Sequence, residues 1–463
     1  MVDLGPRYPG SSAHATLVDH MQEVFERHAV TVNRDRYFFD KWTPRHTSLT
    51  ITSGADSGAL AVAAPYPNSG ATAAGGVTAP LTYLAPLVVP AVDEISHNAT
   101  LESIQAHVDT AVARLLAAVP GGVTNRIVVV ENPVPPLTVG MFNSLMSYRH
   151  DPGHTVSDSD SYSRVWMTLL TATSLTAFRQ AGAVASILIL DAHPANALGQ
   201  VAPFTRLYQD LPALIVDREQ GARLRRAARD GAQATLELQA TVERRSSDSL
   251  IGVLRGSGRG GEALIVHTHS DGMNAFEENG VLAQLRLAEY LDALGPDRRN
   301  RDIIFSAVTG HFGPGLPETK GFLEAHPDLV ARSVASLTIE HFGATEWVDD
   351  AGGYRSTGQV EPAVAFHSPT RIVEPAIEAT RHVDLRRLGL LRPIGTTFFG
   401  VGRDLHAAGI PSIAYIGGPT YLCAEAPNGH LDKLDPARMA AELAWTADLL
   451  GRLDTVPAEQ LRS

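Results

Sequence analysis

"IVHTHSDGMNAFEENGVLAQLRLAEYL", Ile265–Leu291, is the stretch on which the reading of this chain turns. It opens as an apolar strand, crosses a short loop and leaves as a helix. Five ionisable residues crowd the strand end and loop: His267, His269, Asp271, Glu277 and Glu278. A turn needs Gly, Asn or Ser, not this much acid and imidazole, so the loop is read as a chemical site. Period two puts His267, His269 and Asp271 on one side of an extended chain, with Thr268 and Ser270 opposite. Asn279 is expected to cap the helix and Gly280 to be its first residue. Glu277 and Glu278 then precede a helix N-terminus, where negative charge is favoured.

Outward from this stretch the texture repeats. After "SLIGVLRGSGRGG" apolar strands alternate with helices: "ALIVHTH", "VLAQLRLAEYLDAL", "DIIFSAVTGH", "TKGFLEAHPDLVAR", "SVASLTIEH". That alternation predicts a sheet covered by helices on both faces. In such sheets ligands bind beyond the carboxyl ends of the strands. Three strand ends carry the right groups: His269 with Asp271, then His311, then Glu340 with His341. Imidazole and carboxylate delivered to one edge on rigid elements is what a metal site requires.

Upstream, a helix is predicted over about Ala13–Ala29, with Leu17, Met21 and Phe25 at helical spacing. From about Ser48 to Asp248 run short strands with Gly and Pro punctuation, such as "RIVVVENP", "VASILIL", "ALIV" and "TLELQATV". Within this stretch Ser147–Tyr162 is polar, holds His150 and His154 as surface residues, and is read as a lid or pocket wall. Three segments are therefore expected: 1–47 packing on the last unit, 48–248 as an insertion, and 249–463 as the unit carrying the site.

Bulk properties set the class. The 463 residues are 44% apolar and 19% charged, an ordinary globular balance. A net charge of −12 argues against nucleic acid as a partner. One cysteine excludes a disulfide framework or a zinc ribbon. With no basic-then-apolar leader, the expectation is a cytoplasmic chain. No stretch approaches the ~18 apolar residues of a membrane span. Cys423 is read as a buried small hydrophobe rather than a nucleophile. There is no G-x-S-x-G elbow to support a serine hydrolase.

The residues resemble the co-catalytic zinc aminopeptidases, the group that includes bacterial leucyl aminopeptidases, glutamate carboxypeptidase and the catalytically dead transferrin receptor. "YPGSSAHATLVDHMQEVFERHAVTVNRDRY" is similar to the family's opening segment, and "IGVLRGSGRGGEALIVHTHSDG" to the strands leading into its His-x-Asp motif. "AAGIPSIAYIGGP" and "HLDKLDP" resemble its closing segments. "RIVVVENPVPPL", "AGAVASILILD" and "LPALIVDREQGARLRRAARDGAQATLEL" resemble an inserted protease-associated domain.

The resemblance implies an α/β fold, a three-layer α/β/α sandwich with a mixed sheet, plus an inserted β-rich domain. It implies His269 as a zinc ligand oriented by Asp271. The bridging acid aligns near Phe276, with Glu277 the nearest carboxylate and Glu278 next to it. The family's Glu-Glu pair is replaced by His311 and Phe312, and its ligand Asp by Glu340. Its last histidine aligns with Glu425, with His430 close by. The expected metal shell is thus His269, Glu277, His311 and Glu340, with Glu425 or His430 as a further ligand. Glu278, His311 or His341 is the expected base. The implied activity is zinc-dependent hydrolysis, with one or two ions, of an amide or peptide-like bond in a small substrate. The alternatives are an inactive peptidase-like binding protein and a metal-free hydrolase using Cys423 or a His–Asp pair.

Overall fold

Two long strands organise the molecule. In the computed structural model, which describes residues 1–86, 101–171, 175–258, 261–394 and 398–463, Thr31–Ile51 and Gln233–Leu254 pair antiparallel along their length. They join one large mixed sheet that runs through both halves of the chain. Its strand order is Ala64–Pro65, Ala213–Val216, Ala185–Leu190, Ile127–Asn132, Val77–Tyr83, Gln233–Leu254, Asp302–Val308, Ala263–His269, Ser333–Glu340, Ser412–Gly417, Ala363–His367, Leu388–Leu391 and Met146–His150.

Strand Ala263–His269 lies between parallel neighbours, Asp302–Val308 and Ser333–Glu340, and every residue in it is buried. Its side chains alternate between two apolar layers. Leu264 and Val266 enter one core, with Leu17, Met21 and Phe25 of helix Ser12–Arg27 and Trp445 and Leu449 of helix Pro436–Thr455. Ala263 and Ile265 enter the other, with Phe322 and Leu405. A strand buried on both faces reads as a continuous apolar run, which is why "ALIV" precedes the histidines. Helix Ser12–Arg27 starts where Ser11 accepts the His14 N–H at 3.1 Å. Its apolar stripe is buried, and Phe25 stacks on Phe305 at 5.2 Å. Full burial of each such side chain contributes roughly 1.5–3 kcal/mol.

The stretch 49–238 has its own two cores on the faces of parallel strands Ile127–Asn132 and Ala185–Leu190. It is more helical than the expected β-rich unit: Leu101–Ala117 and Arg218–Arg229 are helices. It also does not stay to itself. Met146–His150 pairs with Leu388–Leu391 at the far edge of the second unit's sheet. Arg164 and Trp166 donate to Gly418 O, both at 3.2 Å. No helix among the described residues is long and apolar enough to cross a membrane.

Candidate metal centre

The parallel strands release their C-terminal residues side by side, and the imidazoles and acids at their ends meet, but in two overlapping groups instead of the single expected shell of His269, Glu277, His311 and Glu340. His269 Nε2 lies 3.7 Å from Glu340 Oε2. His341 Nε2 lies 3.6 Å from Glu277 Oε2 and 3.9 Å from Glu340 Oε2. His311 Nε2 lies 3.7 Å from Glu277 Oε1. Two donor sets result, His269–Glu277–His311 and His269–Glu340–His341, each with its atoms within 4.8 Å of one another.

Four of these atoms are buried and have no hydrogen-bond partner: His269 Nε2, Glu277 Oε2, Glu340 Oε2 and His341 Nε2. Unmet buried polar atoms are expensive, so four of them in these two overlapping sets call for an occupant. The tautomers agree. His269 Nδ1 donates to Asp271 O and His341 Nδ1 to Gly417 O, each at 2.8 Å, because a carbonyl can only accept. Both Nε2 lone pairs therefore face the centre. A tetrahedral zinc with bonds of about 2.1 Å keeps its donors about 3.4 Å apart, close to the spacing here. The residues present fit a divalent metal.

Burial pushes His269 well below its usual value and His341 down to about 3, so both are neutral. It pushes Glu277 well up, and Glu340 up to about 7. Burial also opposes charge on His311, but its 2.7 Å bond to Glu318 and the carboxylates of Glu277 and Glu340 outweigh that and raise it to about 9. His341 has φ 62° and Glu318 φ 52°, left-handed conformations rare outside glycine. Such strain gathers where a side chain must be aimed.

Other expected site residues go elsewhere. Asp271 does orient His269, but through its carbonyl. Its carboxylate accepts the backbone N–H groups of Gly310 at 2.9 Å and Phe312 at 2.7 Å, because that strand end lacks sheet partners for them. Glu278 belongs to neither donor set and is ion-paired with buried Arg7, which fits it poorly for a base. Glu425 is exposed and accepts the Tyr8 hydroxyl at 2.5 Å. His430 packs on Tyr421, and neither it nor Glu425 joins a donor set. His267 is a hydrogen-bonded core residue, held by Ser306 and Thr319. Gly280 does begin the helix, but Asn279 bridges to Phe342 N and O at 2.8 Å instead of capping it. A Cβ on Gly280 would collide with Ile339 O and Thr268 Oγ1, so glycine lets the helix sit close enough for that bridge.

Ser147–Tyr162 lines the sheet edge, where His150 pairs with Asp384 at 2.8 Å and His154 is exposed. The inserted stretch reaches the metal centre with Phe204 instead, whose ring lies 4.3 Å from Phe312 and 5.0 Å from His311. Three residues that matter here were not legible in the sequence: Glu318, Phe204 and Arg7. "HFGPGLPE" folds back on itself through Gly and Pro turns, a signal for a tight loop but not for its target.

With fold and centre described, the class is clear: this is the fold of the M28 zinc aminopeptidases. A Peptidase M28 precursor from Shewanella amazonensis superposes with TM-score 0.64 at 16% identity, over 98% of this chain and 91% of that one. An aminopeptidase from Aneurinibacillus sp. strain AM-1 gives 0.59 at 16% identity, over 96% and 89%. The Bacillus subtilis zinc aminopeptidase BSAP gives 0.58 at 15% identity, over 99% and 94%. No model of a protein family matches the sequence, and no curated protein does.

Proposed function

We propose that this chain is a metal-dependent hydrolase of an amide or peptide-like bond in a small or short peptide-like substrate, working through one zinc ion. The carrying observation is the pair of donor sets joined at His269, in which four buried atoms, from His269, Glu277, Glu340 and His341, have no hydrogen-bond partner. One ion is favoured over two because both donor sets share His269, whose only free lone pair is on Nε2. Phe312, where the family resemblance implies an acid, offers no ligand.

A divalent ion bound here supplies Lewis-acid polarisation and lowers the pKa of a water it holds toward 7. The chain's own groups do the rest. Glu277 sits between His311 and His341 and has an oxygen for each. His311 carries the mobile proton on Nε2, with Glu318 fixing its Nδ1–H. Phe204 and Phe312 form an apolar wall beside His311 that suits an apolar side chain on the substrate. Cys423 is buried, and burial together with Glu277 pushes its thiol well up, which opposes the thiolate needed for a metal-free reaction.

Metal analysis of the purified chain, with hydrolysis of aminoacyl anilides before and after chelation, tests the reading. About one zinc per chain and chelator-sensitive turnover are expected. A stable protein that binds no metal and hydrolyses nothing points to the inactive binding protein instead.

Two further results are expected. Zinc affinity, measured by chelator competition, falls as pH drops through 7. Glu340 titrates near 7 and Glu277 is pushed well up by burial, so both carboxyls must give up a proton to ligate, whereas His269 and His341 are already neutral and add no slope. The loss is about tenfold per pH unit for each proton displaced. Affinity independent of pH between 5.5 and 7 counts against Glu340 as a ligand. Glu318→Gln removes the carboxylate that holds His311 charged. Turnover is expected to drop ~10²-fold, with its pH profile moved to lower pH and zinc content unchanged. An unshifted profile removes His311 from the proton transfer.

A further inference from the structure

The residues ahead of the first helix are tied to the metal loop. Arg7 N–H donates to Gly272 O at 2.7 Å, and Gly272 N–H donates back to Arg7 O at 3.3 Å. The Arg7 side chain is 1% exposed. Its Nε pairs with Glu278, its Nη2 donates to Asn274 O at 2.5 Å, and its Nη1 donates to Gly5 O and Met1 O.

Asn274 is itself a hub. Its Oδ1 accepts Phe276 N–H at 2.9 Å and Glu277 N–H at 3.1 Å, and its Nδ2 donates to Leu422 O and Ala424 O. One guanidinium therefore grips a residue on either side of Glu277. The following residues continue along the same loops. Tyr8 sets its ring edge-on to Phe312 at 6.3 Å, and Pro9 packs on Gly313.

We propose that Arg7 is a positioning residue for the metal centre, and that the segment from Met1 to Pro9 is a strap fixing the Glu277 carboxylate where it ligates. The assignment rests on the metal reading above. Burying a guanidinium costs several kcal/mol of desolvation, and apolar packing would hold the segment at lower cost. What the guanidinium adds is a planar fork of donors that meets a carboxylate and a carbonyl together, a geometry lysine cannot copy.

The test is a zinc titration against a competing chelator in the full chain, for wild type, Arg7→Met and Arg7→Lys, with visible spectra of the cobalt-substituted proteins. Arg7→Met is expected to lose about 10- to 100-fold in zinc affinity, as loss of a partner behind a ligand does. Arg7→Lys should weaken binding by about 3- to 10-fold, and guanidinium ion should restore part of the loss in Arg7→Met. Altered cobalt bands in both variants would report a moved Glu277, which a merely structural strap would not produce. Variants that bind as tightly as wild type, with its spectrum, overturn the strap alone. If Arg7→Met does not fold, Arg7→Lys decides: wild-type affinity and spectrum overturn the proposal. A wild type that binds no zinc overturns the metal reading, and the strap with it.

Discussion

His269→Ala is expected to abolish zinc binding while leaving the fold in place. The residue is the one imidazole common to both donor sets, so no alternative shell survives its loss. Zinc affinity is expected to fall by more than the ~100-fold that removal of an outer partner costs. The metal-free variant loses the Nδ1 bond to Asp271 O and the packing of a buried ring on His311, whereas Nε2 has no partner to lose. The Nδ1 bond contributes about 1 kcal/mol. The clearest readout is thermal unfolding with and without zinc. Wild type at a free zinc concentration 1,000 times its Kd gains about 4 kcal/mol, and the variant gains none. A variant that keeps stoichiometric zinc, or a wild type with no zinc-dependent shift in Tm, defeats the assignment.

Arg164→Met is expected to cost about 3–5 kcal/mol, the usual penalty for orphaning one member of a buried ion pair. Arg164 and Glu361 are each 1% exposed, with Nη2 2.7 Å and Nε 2.9 Å from Glu361 Oε1. Burial already pushes Glu361 up to about 7 with the guanidinium in place. Arg164→Met/Glu361→Met should recover most of the loss, because two apolar groups leave no charge behind. Urea unfolding of the four proteins of this double-mutant cycle measures the coupling. The effect should extend to metal binding. Gly417 O holds the Nδ1–H of His341, and Gly418 O, next in the chain, accepts from Arg164 and Trp166. A double variant as unstable as the single would show that packing, not the uncompensated charge, sets the cost.

Local pattern accounts for what was legible. The strand ends at His269, Glu340 and His341 follow from apolar runs whose side chains alternate between two cores, and that alternation is visible in "ALIVHTH" and "SVASLTIEH". Glu277 follows from its place between a strand and a helix. The helix Leu101–Ala117 was also there to be read, since Val108 and Val112 stand four apart and are both buried.

Partners across long separations were not legible. Arg7 and Glu278 stand 271 positions apart, and nothing in the sequence marks their pairing. The spacing of His269 and Asp271 shows that they meet, but whether carbonyl or carboxylate turns to the ring depends on the unpaired N–H groups of Gly310 and Phe312, which belong to another strand.

Sequence alone determined the sheet, the direction of its central strands and the residue types at their ends, because periodicity and burial act over a few neighbouring positions. Tertiary structure alone decided which lone pairs face one another. That choice depends on hydrogen bonds accepted by Glu318 and Gly417 O and donated by Arg7, in segments that meet only when the sheet is complete.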